Sequence, residues 1–194
     1  MTGSSGMPVP RILPVTIEAT DSNGARIPQA RARKGGQAWN VTGVIANAPA
    51  VLAMMDHVWA CLGQTSLSRA DRELIAMQMA VLNGCHYCVP AHRYVAREEA
   101  KLDPDTVAQL ERVACGETLP AGNRLATMQR LVRRLISTRG GLDEGEYAQF
   151  VATGVTPQQM IETIAEIAHC TVTNFTNRLA GTPLDPFLEK YRSL

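Results

Sequence analysis

Residues 73–92 read Glu73-Leu-Ile-Ala-Met-Gln-Met-Ala-Val-Leu-Asn-Gly-Cys85-His-Tyr-Cys88-Val-Pro-Ala-His92. From Leu74 to Leu82 the stretch is apolar on nearly every face, so the helix it predicts over about 69–83 must be surrounded by other elements. Ser68-Arg-Ala-Asp71 ahead of it has the form of a capping box with Asp in the acidic role. Asn83-Gly84 ends it. A further helix is predicted from near Cys85–Cys88 to about Lys101.

Working outward, the chain supplies neighbours for this central helix. Asn47, with Pro49 in the first turn, predicts a cap for a helix carrying Leu52, Met55, Trp59 and Leu62 and stopping at Gly63. Asp103-Pro104 starts a helix through Val107, Leu110 and Val113 to Gly116. Leu125, Met128, Leu131 and Leu135 mark another, ending at Gly140-Gly141, and a short one runs from Asp143 through Phe150 to Gly154. Thr156-Pro157 with Gln159 opens a helix lined by Met160, Ile164 and Ile167 and ended by Gly181. No convincing pair of strands is present. The expected architecture is all-α, a compact oligomeric bundle of about seven or eight helices with short connections.

Composition agrees. The 194 residues are 45% hydrophobic and 19% charged, which excludes a disordered chain. Aromatics are only 5%, leaving Ala, Leu, Val, Ile and Met to fill the core, a palette that favours helices. One domain is expected over 39–194, preceded by a loosely organised arm over 1–38. Within the arm, residues 1–6 read as a vector-derived leader, Val15-Thr16-Ile17 as a short strand, and the basic run Arg26 to Lys34 as solvated.

The net charge of +1 argues for neither nucleic acid nor an anionic membrane as partner. No stretch reaches the roughly 18 apolar residues of a membrane span. The five cysteines are odd in number and sparse, unlike a secreted disulfide scaffold. With no charged-then-apolar leader, a cytoplasmic location is expected, where a close Cys pair is catalytic or metal-binding more often than structural.

Cys85 and Cys88 would share a helix face with Cβ atoms about 5–6 Å apart. A relaxed disulfide wants about 3.5–4.5 Å, so a bond between them is feasible with local adjustment and readily reduced, which suits a cycling bond. Pro90 belongs in a first helical turn, placing Cys88 near the helix start, where a thiolate is favoured. His92, four residues on, can take the thiol proton. Glu73 cannot activate a thiol by proximity, because like charges repel. It could hold His92 charged or act as final proton acceptor, but only through a contact made across the Asn83-Gly84 break.

Other readings stand beside this one. C-x2-C-x3-H could supply three zinc ligands, but no second pair at ligand spacing follows, and His57, His169 and Cys170 are isolated in sequence. A thioredoxin-type site needs a strand before its CxxC. His86 reads as a surface or positioning residue, and Tyr87 as packing with its hydroxyl towards the thiols. Cys61, Cys115 and Cys170 read as small core residues, and Met54, Met55, Met77 and Met79 as core. A degenerate repeat is also visible. Glu73 precedes Cys85 and Cys88 by the same offsets at which Glu162 precedes Asn174 and Asn177.

The spacing Glu-x11-Cys-x2-Cys-x3-His after an apolar helix and Asn-Gly resembles the carboxymuconolactone decarboxylase family, and within it the alkylhydroperoxidase D branch, over about residues 45–181. The resemblance implies an all-helical fold assembled as a homo-trimer or homo-hexamer, and thiol-dependent peroxidase activity. The family's lactone decarboxylases lack the CxxC pair. Carried over, Cys88 is the peroxidatic thiol, Cys85 the resolving one, and Glu73 and His92 the proton relay. The branch has His directly before the second Cys, where this chain has Tyr87 with His86 one place earlier, so these two are auxiliary candidates. The expected function is reduction of hydroperoxides through a Cys85–Cys88 disulfide cycle, restored by an external dithiol, with no cofactor and no metal. Alternatives are a redox-sensing or interaction scaffold of the same fold, or a small-lactone decarboxylase.

Overall fold

The computed structural model describes residues 8–15 and 37–192. These residues hold α1 Asn40–Ile45, α2 Pro49–Leu62, α3 Arg69–Leu82, α4 Cys88–Tyr94, α5 Pro104–Ala114, α6 Arg124–Thr138, α7 Glu144–Ala152 and α8 Pro157–Ala180. A π-helical turn, Val95–Glu99, extends α4, and a 3₁₀ segment, Pro186–Tyr191, follows α8. No strand occurs among the described residues. The expected all-α class is the observed one.

The caps lie where the sequence puts most of them. Ser68 accepts the Asp71 N–H at 3.0 Å while Asp71 accepts the Ser68 N–H at 3.2 Å, closing the start of α3. Asp143 with Glu146 and Thr156 with Gln159 form the same reciprocal boxes at α7 and α8. Gly181, at φ +61°, ends α8 in the left-handed conformation that glycine adopts without strain.

Helix α3 is the axis, packed against α4, α5, α6 and α8. Leu74, Ile75, Met77, Met79 and Ala80 are all 2% exposed or less. Burying each of the larger ones contributes roughly 1.5–3 kcal/mol. One apolar cluster lies between α3, α5, α6, α7 and α8. A second gathers Trp39, α1, Leu52 and Met55 of α2, Cys85, Tyr87, Cys88, and Leu184 and Leu188 beyond α8. The cysteine pair is therefore built into a core.

Several expectations are corrected. Asn47 does not cap α2. Its side-chain amide donates backwards to the carbonyls of Val44 at 3.1 Å and Leu13 at 2.9 Å, and α2 starts from Ala48. Helix α1 and the 3₁₀ segment are too short to carry a periodic signal. Cys61 and Cys115 are exposed, and only Cys170 is buried. Met54 is 48% exposed, whereas Met55, Met77 and Met79 are core. Helix α3 buries Leu74 to Ala80 within one chain and leaves its last residue, Leu82, 48% exposed. Exposed apolar side chains include Ile161, Ile164, Phe175 and Leu179 on α8 and Val51 and Met54 on α2.

Residues 8–15 lie along this body. Arg11 N–H donates to Ala180 O at 2.6 Å and Val15 N–H to Gly43 O at 2.9 Å. Thr16 and Ile17 of the short strand expected at Val15-Thr16-Ile17, the basic run Arg26 to Lys34 and the leader expected at 1–6 fall outside the described residues.

Candidate functional site

The turn after α3 assembles the site. Asn83 closes the helix on Met79 O, Gly84 takes φ +59°, and the Cys85 N–H reaches Ala80 O at 2.8 Å. The chain doubles back and α4 starts at Cys88, with Pro90 in its first turn. As α4 returns along α3 it carries His92 to Glu73, with Nδ1 2.9 Å from Oε2. Glu73 is buried and the His92 side chain is 22% exposed, so the ring joins a buried carboxylate to the edge of the site. With Nδ1 on Glu73, Nε2 is the ring nitrogen left for proton exchange.

Cys85 and Cys88 are disulfide-bonded, with Cα atoms 5.3 Å apart, and both are almost fully buried. The Cys88 N–H points at Cys85 Sγ, 3.2 Å away. Cys88 Sγ accepts two hydrogen bonds from α8, from Asn174 Nδ2 at 3.2 Å and Asn177 Nδ2 at 3.4 Å. Asn83 Nδ2 donates to Asn174 Oδ1 at 3.0 Å, which sets the Asn174 amide with its N–H groups towards the sulfur. Asn177 Oδ1 is buried and has no hydrogen-bond partner among the described residues. Asn174 and Asn177 are the residues a motif search misses. The signal that finds them is the repeat offset from Glu162, although Glu162 itself accepts hydrogen bonds from Ser66, far from this site in role.

The inter-cysteine pair turns outward from the sulfurs. The Tyr87 hydroxyl donates to Asp185 Oδ2, not towards the thiols, and Asp185 also accepts the Asn40 N–H at 3.1 Å. Burial first, then the charge of Asp185 and its hydrogen bond, push the Tyr87 hydroxyl well above its usual 10.0. Burial raises the Asp185 carboxyl above its ordinary value, while the bonds from Tyr87 and Asn40 pull it back. His86 Nε2 lies 2.9 Å from Thr182 O. Tyr87 and His86 thus tie the CxxC turn to the segment after α8.

A cleft of about 420 Å³ opens beside the pair, walled by Ala80, Val81, Gly84, Val89, Pro90 and Ala114 together with His86 and Arg192, and of the two cysteines only Cys85 lines it. A larger cavity, about 760 Å³, lies over α6 and is lined by Arg124, Arg130, Arg133 and Arg134. None of the predicted site residues borders it.

His169 and Cys170, isolated in sequence, meet Glu166 in space, their ligand atoms all within 4.8 Å. The donors there are already engaged. Arg72 pairs with Glu166, His169 Nδ1 faces Glu166 Oε2 at 3.4 Å, and His169 Nε2 accepts from Trp59 Nε1 at 2.7 Å. Burial raises the Glu166 carboxyl, but His169 and Arg72 together hold it below the ordinary range. The cluster ties α2 and α3 to α8.

Two sulfurs that can exchange two electrons, a carboxylate-held imidazole one turn along α4, and amide donors on one sulfur make this a thiol redox site in form. Residues 49–116 match the sequence profile of the carboxymuconolactone decarboxylase family. No curated protein matches the chain. A peroxidase-related protein from Silicibacter sp. TM1040 superposes with a TM-score of 0.75 at 18% identity, covering 97% of this chain and 100% of that one. An alkylhydroperoxidase core, a peroxidase-related protein from Ralstonia eutropha JMP134, gives 0.75 at 19% identity over 94% and 97%. The debrominase Bmp8 gives 0.70 at 14% identity over 94% and 96%, so the fold also serves other chemistry. Residues 49–116, the stretch similar to the carboxymuconolactone decarboxylase family, thus contain the whole Glu73–Cys85–Cys88–His92 motif, and the chain around them has the fold of the alkylhydroperoxidase core.

Proposed function

We propose that the protein is a thiol-dependent peroxidase that reduces hydroperoxides through Cys88 and Cys85. In the reduced state the Cys88 thiolate attacks the outer peroxide oxygen, the O–O bond breaks, and the alcohol leaves with a proton passed from His92. Cys88 becomes a sulfenic acid. The Cys85 sulfur attacks it, gives up its proton, and hydroxide leaves as water. The two cysteines lose two electrons and the peroxide gains them. An external dithiol then reopens the bond. Glu73 holds His92 in place and balances its charge. We extend the reading to a homo-trimer or homo-hexamer, supported by the apolar stripe Ile161, Ile164, Phe175 and Leu179 on α8.

The observation that carries this reading is the bonded Cys85–Cys88 pair at the start of α4, the helix that also brings His92 to Glu73 of α3. The test is mass and thiol count of the reduced protein before and after one equivalent of organic hydroperoxide. Loss of two thiols is expected, with sustained peroxide consumption when dithiothreitol is supplied. Cys88→Ser should abolish the reaction, and Cys85→Ser should trap a sulfenic acid on Cys88. A sulfenic acid on Cys85 in Cys88→Ser, with Cys85→Ser inert, would reverse the assignment. Thiol oxidation that never turns over with any dithiol would point to a redox sensor instead.

A further inference from the structure

We infer that reductive opening of the disulfide has a built-in direction: the external thiol bonds to Cys85, and Cys88 is the sulfur that leaves, received as a thiolate by the Asn174 and Asn177 amides. This rests on the peroxidase reading only for the identity of the reductant. The direction itself rests on two independent features of the site.

The first is access. A thiolate displaces one disulfide sulfur by direct attack on the other, so the sulfur that meets incoming reagent takes the new bond. Both cysteines are nearly fully buried, but Cys85 forms part of the wall of the 420 Å³ cleft and Cys88 does not. The rest of that wall, which includes Val89, Pro90, His86 and Arg192, carries no acidic side chain to repel a thiolate.

The second is the fate of the leaving sulfur. The better-stabilised thiolate leaves faster. Cys88 Sγ already accepts N–H groups from Asn174 and Asn177, both 1% exposed or less. Asn83 fixes the orientation of the first amide. These donors are in place before the bond breaks, so no reorganisation is needed to receive the charge, and hydrogen bonds to a charged group are the strong ones. Among the described residues the hydrogen bond at Cys85 Sγ comes from the Cys88 backbone N–H. Asn177 Oδ1, buried and without a partner among the described residues, completes the cradle. It is an acceptor suited to the S–H or S–OH proton that Cys88 carries at other points of the cycle.

The first thiolate of the dithiol forms a mixed disulfide with Cys85 as the Cys85–Cys88 bond breaks and Cys88 leaves with the electron pair. The second thiol of the reductant then attacks its own sulfur in the mixed disulfide. Cys85 leaves and takes up a proton, and the reductant departs as a disulfide, oxidised by two electrons.

The test uses the oxidised full-length protein and 2-mercaptoethanol, a monothiol that cannot complete the second step. Aliquots are quenched with N-ethylmaleimide and both cysteines are mapped by peptide mass. The expected product carries mercaptoethanol on Cys85 and maleimide on Cys88, in about tenfold or greater excess over the reverse. The reverse adduct, or an even mixture, overturns the direction. Asn174→Ala and Asn177→Ala, each checked for wild-type helicity and melting, should slow opening by about tenfold, the effect of losing one bond to a charged group. Unchanged rates and an unchanged adduct ratio in both would remove the amides from the argument. Peroxide is absent throughout. A protein that adds mercaptoethanol at Cys85 yet never consumes hydroperoxide would sink the peroxidase reading and leave the direction standing, and the opposite pair of results would do the converse.

Discussion

Replacing Tyr87 by Phe tests whether this residue is a structural clasp or part of the redox chemistry. Tyr87 is 1% and Asp185 4% exposed, and the hydroxyl donates to Oδ2 of the carboxylate. The Phe variant keeps the ring in the second apolar cluster and leaves Asp185 with only the Asn40 backbone N–H among its described donors. A hydrogen bond to a charged group contributes about 1.5–3 kcal/mol. For a chain of this size that corresponds to a drop in Tm of roughly 3–12 °C. The loss should depend on pH. Burial already raises the Asp185 carboxyl, and the Tyr87 bond pulls it down, so removing the bond raises it further. A carboxyl raised in the folded state contributes stability below its unfolded pKa and loses it as pH climbs through the folded value. The penalty of Tyr87→Phe should therefore be small near pH 4 and full at pH 7. At the alkaline end the sign reverses. The wild-type phenol, raised well above 10.0, costs stability as pH rises beyond 10 because only the unfolded chain ionises it. The Phe variant lacks that loss, so the two curves should converge. The assay is denaturant unfolding of both disulfide forms at pH 4, 7 and 10.5, with peroxide consumption measured alongside. A penalty equal at pH 4 and 7 would refute the clasp. So would unchanged stability with a peroxidase rate reduced a hundredfold, which would return Tyr87 to the reaction.

Two further outcomes follow from the packing. Gly181→Ala should destabilise by more than about 1 kcal/mol, because φ is +61° and a Cβ there would strike the Val9 carbonyl; limited proteolysis should then cut within residues 8–15 faster than in wild type, and equal cleavage would contradict the clash. Sedimentation at micromolar concentration should give a trimer or hexamer, and Phe175→Glu on the apolar stripe of α8 should shift it to smaller species; a wild-type monomer would remove the assembly proposal.

How much was legible in advance varies with the range of the interaction. The caps Ser68, Asp103, Asp143 and Thr156, the stops at Gly84, Gly116 and Gly181, and the helices between them are encoded within a few residues of one another. Local backbone bonding decides them, and sequence spacing reports it directly. The centrality of α3 was equally readable, because a helix without a polar face has nowhere else to go. The pairing of the two cysteines belongs to this group, since three residues of separation confine it.

The tertiary structure alone decided the rest. Glu73 and His92, 19 residues apart, meet because the turn at Asn83-Gly84 folds α4 back on α3. Asn174 and Asn177, 86 and 89 residues beyond Cys88, reach its sulfur only through the packing of α8. Tyr87 faces away from the sulfurs because Asp185, 98 residues along, offers a buried acceptor on the other side. Cys61 and Cys115 are exposed although they sit in apolar neighbourhoods of the sequence. Periodicity reports which residues share a face of one helix, but which face another segment covers depends on how helices distant in sequence pack together.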